Sequence, residues 1–184
     1  AVKGCSPDVP HKTEHGLVRL GCASAEDAAD ACAGMLRTLE ALGARDASVI
    51  VAKMQRTRRE LLVGARYHAG YGTLVMVGDG GKYVEALGDV ALLAWPFDEA
   101  RVLAKLRALR IGAILAGVRG EPALALDAFA RIACAAGALV AAAGGRIASL
   151  DLNPVFVGER DEDCCVVDAL LERQPDVKPP CAPG

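Results

Sequence analysis

Ser6-Pro7-Asp8-Val9-Pro10-His11-Lys12-Thr13-Glu14 sets a histidine beside a lysine, with two prolines ahead of them. Leu150-Asp151-Leu152-Asn153-Pro154-Val155 answers it near the other end of the chain. Proline fixes φ and stiffens the approach, as a loop needs if it must present an imidazole. The second stretch puts an acid and an amide two residues apart on what reads as a strand end. Side chains two apart on a strand share a face, so Asp151 and Asn153 can enter one cleft and meet a phosphate, a cation or the imidazole itself. Together the two stretches point to phosphoryl transfer. Taken separately, Asp151 and Asn153 before a proline could equally close a strand, and His11 could be a surface histidine.

Composition sets the bounds. The 184 residues, 53% of them apolar, are enough for a core in one domain or two small subdomains. A net charge of −2 with intermixed signs and few aromatics gives neither an electrostatic footprint nor a stacking platform for nucleic acid. Seven cysteines at irregular spacing form no CxxC zinc frame and no disulfide ladder, which implies reduced thiols in a cytosolic protein. Cys164-Cys165 is expected to be strand packing. The long apolar run, Ile132 to Gly145, falls short of the roughly 20 residues that span a bilayer, so no membrane helix is expected. The chain opens at Ala1 with no charged-then-apolar leader and reads as a piece of a longer polypeptide.

Local patterns give an α/β architecture. Val18-Arg19-Leu20 is a short strand. Ser24 with Asp27 has the form of a capping box for a helix to about Leu42, which Gly43 ends as a left-handed cap. Ala47 to Met54 reads as a buried strand, completing a β-α-β unit. Leu61 to Ala65, Thr73 to Val77, Tyr83 to Leu87 and Val90 to Ala94 read as short strands of an antiparallel sheet separated by glycine turns. Asp98 to Leu109 and Pro122 to Ala143 read as helices, the second with Asp127 and Arg131 one turn apart. Strands around Ile147, Val155 and Val166 follow, and the tail 173–184, with four prolines, reads as a flexible linker.

Gly78-Asp79-Gly80-Gly81 lies between strands, where glycine lets backbone N–H groups approach an anion. It lacks the lysine and Ser/Thr of a P-loop, and a plain hairpin turn is the alternative. Asn153 and Asp168 offer hard oxygen ligands that suit Mg²⁺ shared with nucleotide phosphates, not zinc.

In this order the motifs resemble the ATP-grasp module of the ADP-forming acyl-CoA synthetases, relatives of succinyl-CoA synthetase. The likeness runs from Val2-Lys3 and Ser-Pro-Asp-x-x-His-Lys-Thr through Glu60-Leu61-Leu62-Val63-Gly64. It continues with Gly-x-Gly-Gly, Val84-Glu85, Asp89-Val90-Ala91 and Gly117-Val118-Arg119-Gly120. Asp151-Leu152-Asn153-Pro154-Val155 and Val167-Asp168-Ala169 complete it. The resemblance implies a partial ATP-grasp fold, an antiparallel sheet flanked by helices in two subdomains: residues 1–46 part of the lid with the histidine loop, 47–172 the C-terminal subdomain. It implies ATP or ADP as nucleotide with Mg²⁺ held by Asn153 and Asp168. Lys3, Gly78, Gly80, Gly81 and Glu85 would contact the nucleotide. In such enzymes an acyl phosphate made from acyl-CoA passes its phosphoryl group to a histidine of another domain, and a second histidine carries it to ADP. His11 would be that second carrier, with Asp151 orienting the charged phosphoimidazole. Acyl-CoA or its carboxylic acid would be handled with CoA-binding and phosphohistidine domains of the same polypeptide or of a partner subunit, so this chain alone should not turn over. The apolar surface those domains would cover implies a tendency to self-associate.

The chain also departs from the family pattern. Ala52-Lys53 stands for the usual Gln-Glu pair at the nucleotide sugar, Leu93 for an arginine after Asp-Val-Ala, His68 for a turn aspartate and Leu17 for a second glycine after the histidine loop. Each lost charge-assisted contact, worth roughly 1.5–3 kcal/mol, raises the nucleotide Kd, by tens- to thousands-fold in all. Two rivals follow: a degenerate ATP-grasp domain acting as nucleotide sensor or scaffold, and an amide-forming or biotin-carboxylase-like enzyme with no need of His11.

Overall fold

The computed structural model describes residues 1–174 except His11, Arg56, Lys82, Tyr83 and the side chain of Glu85. The chain divides into two compact units, Ala1–Arg56 and Thr57–Gly184. The expected tail, 173–184, lies outside the described residues from 175 onward.

The first unit is a three-stranded antiparallel sheet with one helix. Strand β1 (Val2–Cys5) lies between β2 (Val18–Arg19) and β3 (Ser48–Val51), and helix α1 (Ala25–Ala41) packs on one face. The β-α-β unit read from the sequence is present, with β1 inserted between its two strands, but β3, expected to be buried, is largely exposed, only Val49 being partly covered. Helix α1 begins as expected: the Ser24 hydroxyl accepts the Asp27 N–H at 3.0 Å, while Asp27 accepts the N–H of Ala23 at 3.1 Å. Gly43, at φ +67°, ends it. The core is Val2, Val9, Leu17, Met35 and Leu39. Because β3 pairs along the whole of β1, the first unit runs ten residues past Asp46, where the lid was expected to end.

The second unit is a six-stranded sheet. Its order is β6 (Val90–Ala94), β5 (Gly72–Asp79), β4 (Arg59–His68), β7 (Ile147–Val157) and β8 (Cys165–Val166), with β9 (Ala169–Arg173) also on β7. All its pairings are antiparallel. Helices α3 (Glu99–Ala108) and α5 (Asp127–Ala142) cover one face, burying Leu61, Val63, Val75 and Val77 against Val102, Leu106, Phe129 and Val140.

Three elements differ from expectation. Val84–Leu87 is a helical turn, α2, because β6 already occupies the edge of β5, with Val90 opposite Gly78. The second long helix starts at Asp127: Leu124 and Ala125 donate their N–H groups to Leu115 and Gly158 carbonyls, which holds the preceding segment extended. The Asp161 carboxylate then accepts the Ala128 N–H at 3.1 Å near the helix start and pairs with Arg131 at 3.0 Å. The strands around Ile147 and Val155 are one strand, and β9 continues the ladder where a tail was expected to begin. Between α3 and α5 lies the short helix α4 (Gly112–Leu115).

Candidate functional site

Asn153, Asp168, Asp151 and the glycine loop, far apart in sequence, converge at the middle of β7. Leu152 pairs with Ala169 of β9 and Val155 with Val166 of β8, so Asn153-Pro154 lies opposite Val167-Asp168. The Val167 N–H donates to the Pro154 carbonyl at 3.0 Å and fixes that apposition. The β4–β7 register shifts at the same place, between Leu61 and Val63, and the Asn153–Pro154 peptide is cis. Across this shift Asn153 reaches the loop after β5: its Oδ1 accepts the Gly81 N–H at 2.9 Å. Asp151, opposite Gly64, reaches solvent, yet the protein atoms crowding it and the negative charge of Asp168 push its pKa up.

The glycine loop is shaped by close packing. A Cβ on Gly78 would lie 2.3 Å from the Asp89 carbonyl oxygen, and one on Gly80 would lie 2.3 Å from the Leu61 carbonyl carbon. Gly81 has φ +77°, with Glu60 lying over it. Its donors are already engaged: Asp79 N–H to Asp89 at 3.0 Å, Gly80 N–H to Glu60 at 2.9 Å, and Gly81 N–H to Asn153. Buried Asp79 is held by Arg59, whose Nη2 lies 2.9 Å from both carboxylate oxygens.

The oxygens of Asn153, Asp151 and Asp168 fit Mg²⁺. Burial is the larger cause of the raised Asp151 pKa and the charge of Asp168 the smaller; a cation at these oxygens would offset the second. Among the described residues no group of three or more His, Cys, Asp and Glu could hold a metal by itself.

In the first unit Lys3 sits on β1 opposite Val18 and Ile50, on the face away from α1, since Val2 and Gly4 pack toward that helix. Ile50 on the same face is 53% exposed. His11 lies outside the described residues, as does the Glu85 side chain on α2. The flanks of the histidine loop are well defined. Val9 and Leu17 are buried, Leu17 N–H donates to Lys12 and Gly4 N–H to Leu17, both at 2.9 Å. Sequence reasoning missed what holds the loop's near end. The Asp8 carboxylate accepts the Arg45 backbone N–H at 2.9 Å, its Nε at 3.1 Å and its Nη2 at 2.8 Å. The Arg45 guanidinium beside it, with the Arg45 N–H, brings Asp8 down to about 2. The one sequence signal was Ser6-x-Asp8, a pattern prone to local turns.

Three of the four departures have packing roles. Leu17 is fully buried, and Leu93 lies in the core of the second unit. His68 Nδ1 accepts the N–H groups of Gly70 and Tyr71 at 3.1 and 3.3 Å and closes the β4–β5 hairpin. At Ala52-Lys53 the backbone extends the sheet, Ala52 and Ala1 exchanging two hydrogen bonds of 2.8 Å.

This sheet-and-helix arrangement is that of an ATP-grasp domain, and the chain belongs to that family: the ATP-grasp domain model matches residues 1–172. Among its relatives is the β subunit of an ADP-forming acetate–CoA ligase (II) of Pyrococcus furiosus. The two are 30% identical over 173 residues, 93% of this chain and 73% of that subunit. A trans-feruloyl-CoA synthase of an unknown prokaryotic organism is 34% identical over 163 residues, 88% of this chain and 23% of that protein. The chain thus spans about a quarter of its long single-chain relatives. The dinucleotide-forming acetyl-coenzyme A synthetase 1 of Ca. Korarchaeum cryptofilum, solved with coenzyme A and Ca-AMPCP, superposes with a TM-score of 0.82 at 26% identity. That match covers 94% of this chain and 75% of that one. Another structure of that protein holds Mg-AMPPCP. Among the described residues no helix is long and apolar enough to cross a membrane.

Proposed function

We propose that this chain is the nucleotide-binding part of an ADP-forming acyl-CoA synthetase, an acid–thiol ligase. The whole protein would interconvert acyl-CoA, ADP and phosphate with a carboxylic acid, CoA and ATP through a phosphohistidine relay. The observation that carries the proposal is the convergence of Asn153, Asp168 and Asp151 beside the Gly81 loop, because those oxygens suit Mg²⁺ held jointly with nucleotide phosphates. Asn153 and Asp168 would hold the ion, which supplies charge neutralisation on the phosphates when bound. Lys3 would add a positive charge to the phosphates. Gly78, Gly80 and Gly81 would contribute a tightly packed main-chain wall, since their neighbouring N–H donors are engaged, and Glu85 would complete the nucleotide contacts. His11 would carry the phosphoryl group. Asp151 would hydrogen-bond one ring nitrogen, fixing the tautomer and leaving the other as nucleophile.

Residues 1–46 would serve as part of the lid, with β3 completing its sheet, and the chain beyond, to residue 172, as the C-terminal subdomain. CoA-binding and primary phosphohistidine domains, in the same polypeptide or a partner subunit, would supply the rest of the reaction. That the relatives include β subunits as well as longer single chains supports this division of labour.

Calorimetric titration with ATP and ADP, with and without Mg²⁺, tests the site. Magnesium-dependent binding that disappears in Asn153→Ala/Asp168→Ala is the expected result. Binding that ignores both Mg²⁺ and the double substitution would remove the metal assignment. A second reading, a nucleotide sensor or scaffold without turnover, draws on Leu93, which places a buried aliphatic side chain where the family pattern has an arginine. In the full-length protein that reading expects nucleotide binding with no phosphate on His11.

A further inference from the structure

The stretch that names the family by its histidine also carries a cross-brace, and every atom of it lies among the described residues. Ser6 donates its hydroxyl to the Arg45 carbonyl at 2.6 Å and accepts the Asp8 N–H at 3.2 Å. Asp8 takes the Arg45 backbone N–H on Oδ2 and the guanidinium on both oxygens, Nε to Oδ2 at 3.1 Å and Nη2 to Oδ1 at 2.8 Å. Val9 N–H closes back on the Ser6 carbonyl at 3.2 Å, and its side chain is buried beside Met35 and Leu39 of α1. The segment 6–9 is thereby tied to residue 45, in the connection from α1 to β3. The arrangement is two-pronged and planar, so it fixes direction as well as distance.

An exposed ion pair of this kind adds little to stability: the Arg45 side chain is 81% exposed. Its value lies elsewhere. Pro7 and Pro10 flank Asp8 and Val9 and restrict the backbone on either side, so the direction in which the chain leaves residue 9 is set by the Asp8–Arg45 geometry. We propose that Asp8 and Arg45 are positioning residues for phosphoryl transfer, bracing the near end of the histidine loop against the α1–β3 connection. The proposal rests on the reading that His11 carries the phosphoryl group. In the step concerned, the lone pair of an imidazole nitrogen forms the P–N bond. The β,γ-bridging oxygen leaves on ADP with the electron pair of the broken P–O bond, and the proton of the other ring nitrogen passes to water. Misplacing a nucleophile by about 1 Å costs on the order of a hundredfold in rate.

The test uses the full-length protein and follows base-stable, acid-labile ³²P incorporation from Mg-[γ-³²P]ATP, with His11→Ala as the control. Asp8→Asn and Arg45→Gln are each expected to slow labelling about ten- to hundredfold. The ATP Kd should stay within about twofold and the Tm within a few degrees, because the brace contributes little to stability. Asp8→Asn/Arg45→Gln should be no slower than the worse single variant, since the two residues act as one unit. Labelling within about twofold of wild type in both single variants would overturn the brace while leaving the relay standing. A wild-type protein with no label that His11→Ala removes would overturn the relay, and the brace with it. A slow variant whose Tm has fallen and whose ATP Kd has risen in parallel would show a merely structural role and also count against the proposal.

Discussion

Asp89 makes the sharpest test of how the second unit is held together. Its carboxylate, 12% exposed, accepts the N–H groups of Ile111 at 2.7 Å and Arg110 at 3.1 Å, and so ties the entry to β6 to the turn between α3 and α4. The Arg110 guanidinium is 77% exposed at 3.5 Å and adds little. Burial alone would raise the Asp89 pKa; the two N–H donors and then Arg110 outweigh it and hold the group below the usual aspartate range. Asp89→Ala leaves two backbone donors without their partner. A hydrogen bond to a charged group is worth roughly 1.5–3 kcal/mol, and of the two donors Arg110 is exposed while Ile111 is buried, so the cost is about 2–4 kcal/mol. In a domain of this size that lowers Tm by about 5–15 °C. Asp89→Asn keeps one acceptor and loses the charge, for roughly half the effect. The sign with pH follows from the depressed pKa. The stabilisation is fully present above the unfolded aspartate value of about 3.9 and is lost as pH falls through the lower folded value. Thermal unfolding by circular dichroism from pH 7 to pH 3 should show a wild-type advantage over Asp89→Asn that is constant near neutrality and shrinks below about pH 4. An Asp89→Ala protein melting within about 2 °C of wild type, or an advantage that grows with acid, would refute the reasoning.

Two further predictions concern packing. A Cβ on Gly137 of α5 would sit 2.6 Å from the Trp95 ring, which is flanked edge-on by Phe97, so Gly137→Ala should cost about 1–3 kcal/mol by overpacking. A Tm equal to wild type would mean that the ring moves aside. Burial first, and the nearby negative charge of Asp161, push the Cys164 thiol up to about 11, so at pH 7.5 it should resist iodoacetamide in native protein and react after denaturation. Native labelling at Cys164, read by peptide mass mapping, would contradict this environment.

The elements legible in the sequence were those whose signals are local. Ser24, Asp27 and Gly43 bound α1 by capping chemistry, and β4, β5 and β6 show as apolar runs punctuated by glycine. The elements missed exist because of distant partners. Val2-Lys3-Gly4-Cys5 becomes a central strand only when β2 and β3 flank it, and Ala169 to Arg173 joins the sheet because β7 offers an edge. Val84 to Leu87, apolar enough for a strand, finds that edge of β5 taken by β6. Within the site, the oxygen ligands were legible as residue types, but the contacts that aim them were not: Gly81 meets Asn153 across 72 residues and Arg45 meets Asp8 across 37.

The glycine loop and the departures teach the same lesson from opposite sides. Glycines between strands suggest donors waiting for an anion, yet the N–H groups of Asp79, Gly80 and Gly81 are spent on Asp89, Glu60 and Asn153. Departures from the family pattern suggest a damaged site, yet Leu17 and Leu93 fill the two cores and His68 closes a hairpin. Whether a motif is chemical or architectural is therefore decided by where its hydrogen-bonding capacity goes once the chain has folded. By that criterion Asp89 and the glycines build the wall. On the proposed function, the Asn153 carbonyl oxygen, which has a second lone pair, and the Asp151 carboxylate, whose charged form burial and then the charge of Asp168 disfavour, are what the wall would present to a cation and its phosphates.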